Sequence, residues 1–162
     1  MEKISFTIEQ IGVVKTDGRS FRIELDQCFA RSLKELDEFS HADIIWWCHK
    51  YDSAEYRTIT VSRKPYKNAP DEIGIFATRS PVRPNPIAIT TVPIVSIDHE
   101  KAVIHIPFID AIDGTPVIDI KPYHPSVERV RDVSVPDWCD HWPKWYEDSM
   151  HFDWAGEFEN AQ

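Results

Sequence analysis

Apolar and polar residues alternate with a period of two through much of the chain, the spacing that lines one face of a β-strand. Ile4, Phe6 and Ile8 share one face of a predicted first strand, and Phe21, Ile23 and Leu25 line another that follows the hairpin signal Asp17-Gly18. A period near four interrupts the alternation once. Phe29, Leu33 and Leu36 are spaced for one face of a short helix, with Asp26 placed as N-cap and Arg31, Lys34 and Glu35 facing outward. Strands are then predicted over 43–48, a buried apolar run, over 56–61, which alternates, and over 74–77, which leads into a proline-rich segment. The β-branched run 87–97 is interrupted by Pro93, which lacks a donor for a central ladder and predicts a bulge or bend at an edge. Asp98-His99-Glu100 turns the chain into 101–108, and Asp113-Gly114 turns it into 117–120. Regularly spaced short strands separated by turn signals predict a mainly β barrel or sandwich.

The end of the chain differs. Trp138, Trp142 and Trp145 have helical spacing, but Pro143 forbids a regular helix through that point, so a short helix or turns are expected. Docking of these rings on the protomer or on a mate is the plainer expectation, and an aromatic wall for a substrate ring the sharper one. Residues 1–135 are expected to form the β domain and 136–162 a Trp-rich acidic tail, partly disordered after Ser149.

Composition narrows the classes. A chain of 162 residues with 42% hydrophobic content fits one domain with its own core. No apolar run is long enough to span a bilayer and the N-terminus lacks a signal-peptide pattern, so a cytoplasmic protein is expected. Cys28, Cys48 and Cys139 are three in number and lack Cys-x-x-Cys spacing, which implies neither a disulfide framework nor a standard zinc site; Cys48-His49 with Cys139 and His141 are the one set that could meet around a metal, but buried thiols are ordinary core filling and no metal is expected. The five glycines, at positions 12, 18, 74, 114 and 156, form no nucleotide loop, which disfavours phosphorylated cofactors. Of the net charge of −9, −7 falls on residues 132–162, where one Lys meets eight acids. The stretch 57–83 instead holds Arg57, Arg63, Lys64, Lys67, Arg79 and Arg83 against Asp71 and Glu72, and is the one candidate phosphate-facing surface.

The densest chemical signal is Gly74-Ile-Phe-Ala-Thr-Arg-Ser-Pro-Val-Arg-Pro-Asn-Pro86. Pro81, Pro84 and Pro86 each fix φ near −65° and push the residue before them toward extended conformations, so the segment reads as a stiff loop. Arg79 and Arg83 bring forked guanidiniums suited to carboxylates or phosphates, while Thr78, Ser80 and Asn85 bring groups that bond ribose hydroxyls or base edges. A loop stiffened before its ligand arrives lowers the ordering cost of binding.

This segment resembles the signature of the TsaA-like (TrmO/YaeB) family, S-adenosylmethionine-dependent methyltransferases that modify adenosine in tRNA. Asp113-Gly-Thr-Pro-Val-Ile-Asp-Ile-Lys-Pro-Tyr123 resembles a second family block, and weaker similarity runs back through Phe39-Ser40-His41 and His49-Lys50 to Ile11-Gly12. The resemblance implies a single-sheeted β-barrel with a few peripheral short helices, often dimeric, and S-adenosylmethionine as cofactor. It places cofactor contacts on His49, Lys50, Phe76, Thr78, Arg79, Ser80, Arg83, Asn85, Asp113, Gly114, Thr115 and Pro116. Asp119, Lys121 and Tyr123 alternate along one strand face and are the candidates for catalysis, their plain alternative being a surface ion pair beside a half-buried Tyr; His49 and His124 are further candidates for a polar group near the acceptor. The implied acceptor is N6 of threonylcarbamoyl adenosine in tRNA beside the anticodon. A relative methylating a small molecule is the rival, favoured by the acidic tail, and a non-catalytic sensor of the cofactor is the third reading. The turn 15–20 is tight where the family commonly carries a longer loop with a Pro-Arg-Gln segment, so one cofactor contact is expected to come from elsewhere.

Overall fold

The computed structural model describes residues 4–161, which divide into two compact units. One comprises residues up to Lys50 together with Ile87–Arg129, and the other Tyr51–Pro86 together with the residues from Val130 on. The Trp-rich tail thus shares its unit with the stretch that carries the proline-rich loop.

Strands follow in chain order as β1 (Gly12–Thr16), β2 (Phe21–Leu25), β3 (His41–Trp47), β4 (Val61–Ser62) and β5 (Ile73–Gly74). They continue as β6 (Ile87–Pro93), β7 (Ser96–Asp98), β8 (Val103–Ile106) and β9 (Pro116–Pro122). Two four-residue helices, α1 (Pro125–Glu128) and α2 (Trp154–Glu157), and several short 3₁₀ turns complete the set.

The first unit is an antiparallel seven-stranded sheet of order β6-β3-β9-β1-β2-β8-β7. Its core is aliphatic: Val14, Ile23, Ile44, Val92, Ile104 and Val117 are wholly buried. Removing each such side chain from water contributes roughly 2 kcal/mol. Gly12 of β1 lies against β2, and a Cβ there would lie 2.3 Å from the Glu24 carbonyl oxygen and 2.8 Å from Leu25 Cα. Pro93 ends β6 as its missing donor predicts. Beyond it Ile94 N–H donates to Ser40 (2.9 Å) and Val95 N–H to the His105 carbonyl (2.9 Å), so the chain turns from β3 toward β8. No ladder joins β6 to β7 among the described residues; the fold is mainly β, one seven-stranded antiparallel sheet and a two-stranded pair with short helices.

Three local expectations are corrected. The strand expected over 4–8 is absent, and Ile4, Phe6 and Ile8 are exposed; both edges of the following β1 are taken by β2 and β9, and amphipathic alternation makes a strand only where a ladder partner is offered. The helix expected over 26–36 is two 3₁₀ turns, Gln27–Leu33 and Leu36–Glu38, broken at Glu35, whose φ is 68°. Leu33 and Leu36 still bury, but Asp26 caps nothing with its side chain. The strand expected over 56–61 gives way to a 3₁₀ turn at Tyr56–Thr58, because Ser53 Oγ accepts from Tyr56 N–H (3.1 Å) and Thr58 Oγ1 donates to the Glu55 carbonyl (2.7 Å). Such short side-chain bonds compete with a ladder.

The second unit has only the two-residue pair β4–β5 as regular sheet. An aromatic cluster holds it. Tyr66 stacks on Trp138 (centroids 5.4 Å, 11°) and meets Trp142 edge-on (4.9 Å), and Trp142 meets Trp154 (5.3 Å). Near the end of the described residues Phe158 bridges to Tyr66 in antiparallel fashion, and Glu159 N–H donates to the Pro65 carbonyl (3.0 Å).

Candidate functional site

The proline-rich loop leaves β5 not as a longer strand but through a 3₁₀ turn, Ile75–Ala77. Thr78 is buried; its hydroxyl donates to the Ile75 carbonyl (2.8 Å) and accepts from Ser80 N–H (3.2 Å). Ser80 Oγ in turn accepts from Val82 N–H (3.1 Å). These two hydroxyls therefore brace the loop from within. Ile75, Val82 and Pro86 are buried and pin it. Arg57 donates to the Pro84 carbonyl (3.3 Å) while its Nε is held by Asp52, which also raises the Arg57 pKa.

Arg83 is half-buried on this frame. Its Nη2 makes long contacts with the carbonyls of Ile75 (3.5 Å) and Thr78 (3.4 Å), and its Nε and Nη1 have no partner among the described residues. A fixed guanidinium with free donors suits a carboxylate. Arg79 and Asn85 are exposed, and Phe76 presents its ring to solvent with 81% of its surface open. The loop is tied to the aromatic cluster through Tyr66. Burial raises the Tyr66 pKa, partly opposed by a hydrogen bond from the Arg79 backbone N–H to the phenol.

The other candidates lie in the sheet unit. His49 is half-buried and Lys50 exposed, in the 3₁₀ turn His49–Tyr51 after β3. Asp113 accepts from Thr16 N–H (3.0 Å) and lies 3.8 Å from Lys15 Nζ. Gly114, at φ 78°, makes the turn, and its N–H donates to the Val14 carbonyl (2.8 Å). Thr115 N–H donates to Ile112 (3.2 Å), the Thr115 side chain is buried, and Pro116 pairs with Val13 in register. This block anchors β9 to β1.

Register shifts between β3 and β9: Ile45 faces Asp119 but Trp46 faces Val117, which leaves Ile118 as the extra residue of a bulge. The bulge reverses side-chain parity, so Val117 buries in the core while Asp119 and Lys121 share a more exposed face. There Lys121 Nζ sits 2.7 Å from Asp119 Oδ2, and this hydrogen bond and the charge behind it raise the Lys121 pKa. Tyr123 follows β9, its ring 6.3 Å from that of His41. His124 caps α1, accepting from Ser126 N–H (3.2 Å).

Two residues escaped the sequence reading. Asp43 is a buried carboxylate that accepts from Thr91 Oγ1 and faces Lys121 in register; its signal was a lone acid inside an apolar run. Glu157 is buried and accepts from His141 Nε2 at 2.9 Å. Burial pushes its pKa up, but the His141 bond, the Trp142 indole and the fields of His141 and Lys67 outweigh that and leave it below its ordinary value. Trp142 Nε1 and Glu157 Oε1 are both buried and have no partner in hydrogen-bond geometry among the described residues. Among the described residues no three His, Cys, Asp or Glu side chains come together as a metal site, and no helix is long and apolar enough to cross a membrane.

An antiparallel seven-stranded sheet together with an arginine-bearing, proline-braced loop defines the class of protein. Residues 9–129 match the family model of the tRNA-methyltransferase O N-terminal domain, and the chain belongs to that family. A probable S-adenosyl-L-methionine-binding protein of Pyrococcus abyssi is 34% identical over 129 residues, 80% of this chain and 61% of that protein. The tRNA (adenine(37)-N6)-methyltransferase of Escherichia coli is 32% identical over 127 residues, 77% of this chain and 53% of that protein. The crystal structure of TrmO from Pseudomonas aeruginosa shares the fold with a TM-score of 0.65 at 24% identity, covering 84% of this chain and 62% of that one. The chain spans between about half and two thirds of the length of these relatives.

Proposed function

We propose that the chain binds S-adenosylmethionine through the 76–87 loop and transfers its methyl group to N6 of adenosine 37 in tRNA, in the threonylcarbamoyl form of that base. The observation that carries the reading is Arg83, a guanidinium with unspent donors on a loop braced by Thr78, Ser80 and Arg57. Membership of the family and the names of the relatives support it. When bound, the cofactor supplies an electrophilic methyl group on a sulfonium. Arg83 holds the methionine carboxylate; a contact at 4 Å in an effective dielectric near 20 contributes about 4 kcal/mol before desolvation is subtracted. Phe76 offers a ring and Asn85 an amide to the nucleoside, and His49, Lys50 and the Asp113–Pro116 turn are further contacts by resemblance.

The protein's main contribution to methyl transfer is alignment of acceptor, methyl and sulfur. Asp119 is the candidate to take the amine proton, with Lys121 paired to it and Tyr123 nearby in sequence. A carbamoyl group on N6 makes that proton easier to remove. We further read the bent β6–β7 segment, whose Ile94 and Val95 bond to opposite ends of the sheet, as near-closure into a barrel, and the protein as a cytoplasmic homodimer. The acidic tail is the one observation that favours a small-molecule acceptor over tRNA, since −7 on residues 132–162 repels phosphates within ~8 Å at physiological salt.

Ligand at a hundred times its dissociation constant stabilises a native protein by about 2.7 kcal/mol, a melting shift of roughly 5–10 °C at this size. S-adenosylmethionine is expected to give such a shift, and Arg83→Ala to remove most of it; no shift in the unaltered protein refutes the cofactor assignment. Nucleoside mass spectrometry of tRNA incubated with protein and cofactor then tests the acceptor. Unchanged adenosine with S-adenosylhomocysteine formed points to a small-molecule acceptor, and binding without turnover to a sensor.

A further inference from the structure

The ring of Tyr66 is clamped by three others without help from its hydroxyl. Trp138 stacks on it (5.4 Å, 11°), Trp142 meets it edge-on (4.9 Å, 82°) and Phe158 lies tilted against it (5.9 Å, 38°), so that the residue is buried. A phenylalanine would pack in the same way. The phenol oxygen is spent on the loop, where it accepts from the Arg79 backbone N–H.

That N–H belongs to the peptide unit between Thr78 and Arg79, whose other end is the Thr78 carbonyl. No peptide bond among the described residues is cis, and in a planar trans unit N–H and C=O point to opposite sides. Tyr66 holds one side. On the other, the carbonyl receives Arg83 Nη2 at 3.4 Å. The second contact of Nη2, to the Ile75 carbonyl at 3.5 Å, is shared with the Thr78 N–H (3.1 Å) and hydroxyl (2.8 Å). Both guanidinium contacts are long, and bonds of that length hold a side chain only weakly, so its direction follows the placement of the carbonyls.

We propose that Tyr66 is a positioning residue for the cofactor: its phenol sets the plane of the Thr78–Arg79 peptide, and the carbonyl of that plane aims the Arg83 guanidinium at the methionine carboxylate. Arg83 donates to the carbonyl and the N–H of the same peptide donates to the phenol, so the two bonds run head to tail through one rigid unit and polarise each other. The proposal rests on the reading of Arg83 as the carboxylate's partner. It goes beyond that reading in giving the tail a part in the cofactor site, since the rings that fix Tyr66 are Trp138, Trp142 and Phe158, all outside the residues 9–129 that match the family model.

Tyr66→Phe keeps the rings and removes only the phenol oxygen, so the far-UV circular dichroism spectrum is expected to be unchanged. Calorimetric titration with S-adenosylhomocysteine, which carries the same carboxylate, is expected to show a dissociation constant raised about fivefold, the worth of one ordinary hydrogen bond. Methylthioadenosine, which lacks the carboxylate, is expected to bind the variant and the unaltered protein alike. In an Arg83→Ala background Tyr66→Phe is expected to make no further difference, because two substitutions on one relay do not add. A merely structural role would weaken both ligands and would persist without Arg83. Equal affinity of Tyr66→Phe and unaltered protein for S-adenosylhomocysteine overturns the proposal, as does an equal loss for methylthioadenosine or an effect of Tyr66→Phe that survives in Arg83→Ala. If Arg83→Ala alone leaves S-adenosylhomocysteine binding intact, the carboxylate reading fails and the relay with it; a loss in Arg83→Ala without one in Tyr66→Phe leaves that reading standing and removes the relay alone.

Discussion

The two units are stabilised by different means. In the sheet unit, ladders fix the backbone and the core is made of interchangeable aliphatic side chains, Val14, Ile23, Ile44 and Ile104 among them. In the unit that carries the loop and the tail, regular pairing amounts to two residues per strand, and the chain is held by individual contacts: ring on ring around Tyr66, hydroxyl on backbone at Thr78 and Ser80, carboxylate on imidazole at Glu157. Sheet ladders repeat and tolerate the loss of one member, whereas each contact of the second unit is unique. That construction suits a ligand loop, because it fixes particular side chains where no ladder is available to do so. The family match cuts across the second unit: 9–129 includes the sheet and the loop but leaves out the aromatic tail residues that the loop's neighbour Tyr66 packs against.

The comparison is sharpened first in the sheet. Ile44 is wholly buried between the ladders to β6 and β9, and Ile44→Ala is expected to cost about 4 kcal/mol, read from chemical denaturation followed by far-UV circular dichroism. A cost near 1 kcal/mol would mean that the sheet core repacks freely, and the contrast drawn here would lose its first half. In the second unit Glu157→Gln removes one charge-assisted bond and is expected to cost about 2 kcal/mol at neutral pH. Its pH dependence has a definite sign. Because the folded chain holds the Glu157 carboxyl below its ordinary value of 4.5, its contribution is complete above that pH and is lost as pH falls through the folded value. The stability gap between the two proteins should therefore close in acid; a gap unchanged from pH 7 to pH 3 would show that shape rather than charge matters at this position.

This contrast also explains what the sequence disclosed. Period-two alternation located β2, a continuous apolar run located β3, the Asp113-Gly114 turn located β9, and Pro93 announced the bend after β6, because ladder membership and burial both follow local pattern. Alternation at Ile4, Phe6 and Ile8 and over 56–61 was no less regular, yet one segment has no ladder partner and the other is captured by Ser53 and Thr58. The bulge at Ile118 was hidden for a similar reason: it is a property of two strands, and it decides which of Val117 and Asp119 reaches the core. For the candidate site, the prolines and arginines of the loop were legible as a braced cation, but the roles of Thr78 and Ser80 as internal struts were not, since a hydroxyl's partner depends on the turn that forms. Arg57, Tyr66 and Glu157 reach their partners from far along the chain, and no local pattern marks such contacts.

The smallest expected effect concerns charge within the second unit. The basic stretch and the acidic tail, opposed in sequence composition, partly answer each other in space: Lys64 Nζ lies 3.7 Å from Glu159 Oε2, Asn160 donates to the Lys64 carbonyl (3.2 Å), and Lys67 N–H donates to the Glu157 carbonyl (2.9 Å). Since both members of the Lys64–Glu159 pair are substantially exposed, Glu159→Gln is expected to change stability by only about 0.3 kcal/mol. Its effect on anions should be the more informative one. Freed from its carboxylate, Lys64 becomes available to phosphate, so tRNA affinity should rise slightly and the slope of log affinity against log salt should steepen by a fraction of one ion. A measurable loss of stability would show that the tail is held by this pair and not by its rings; a fall in tRNA affinity would show that the tail acids assist the nucleic acid rather than screen the lysines from it, and the balance of forces assigned to this unit would have to be reversed.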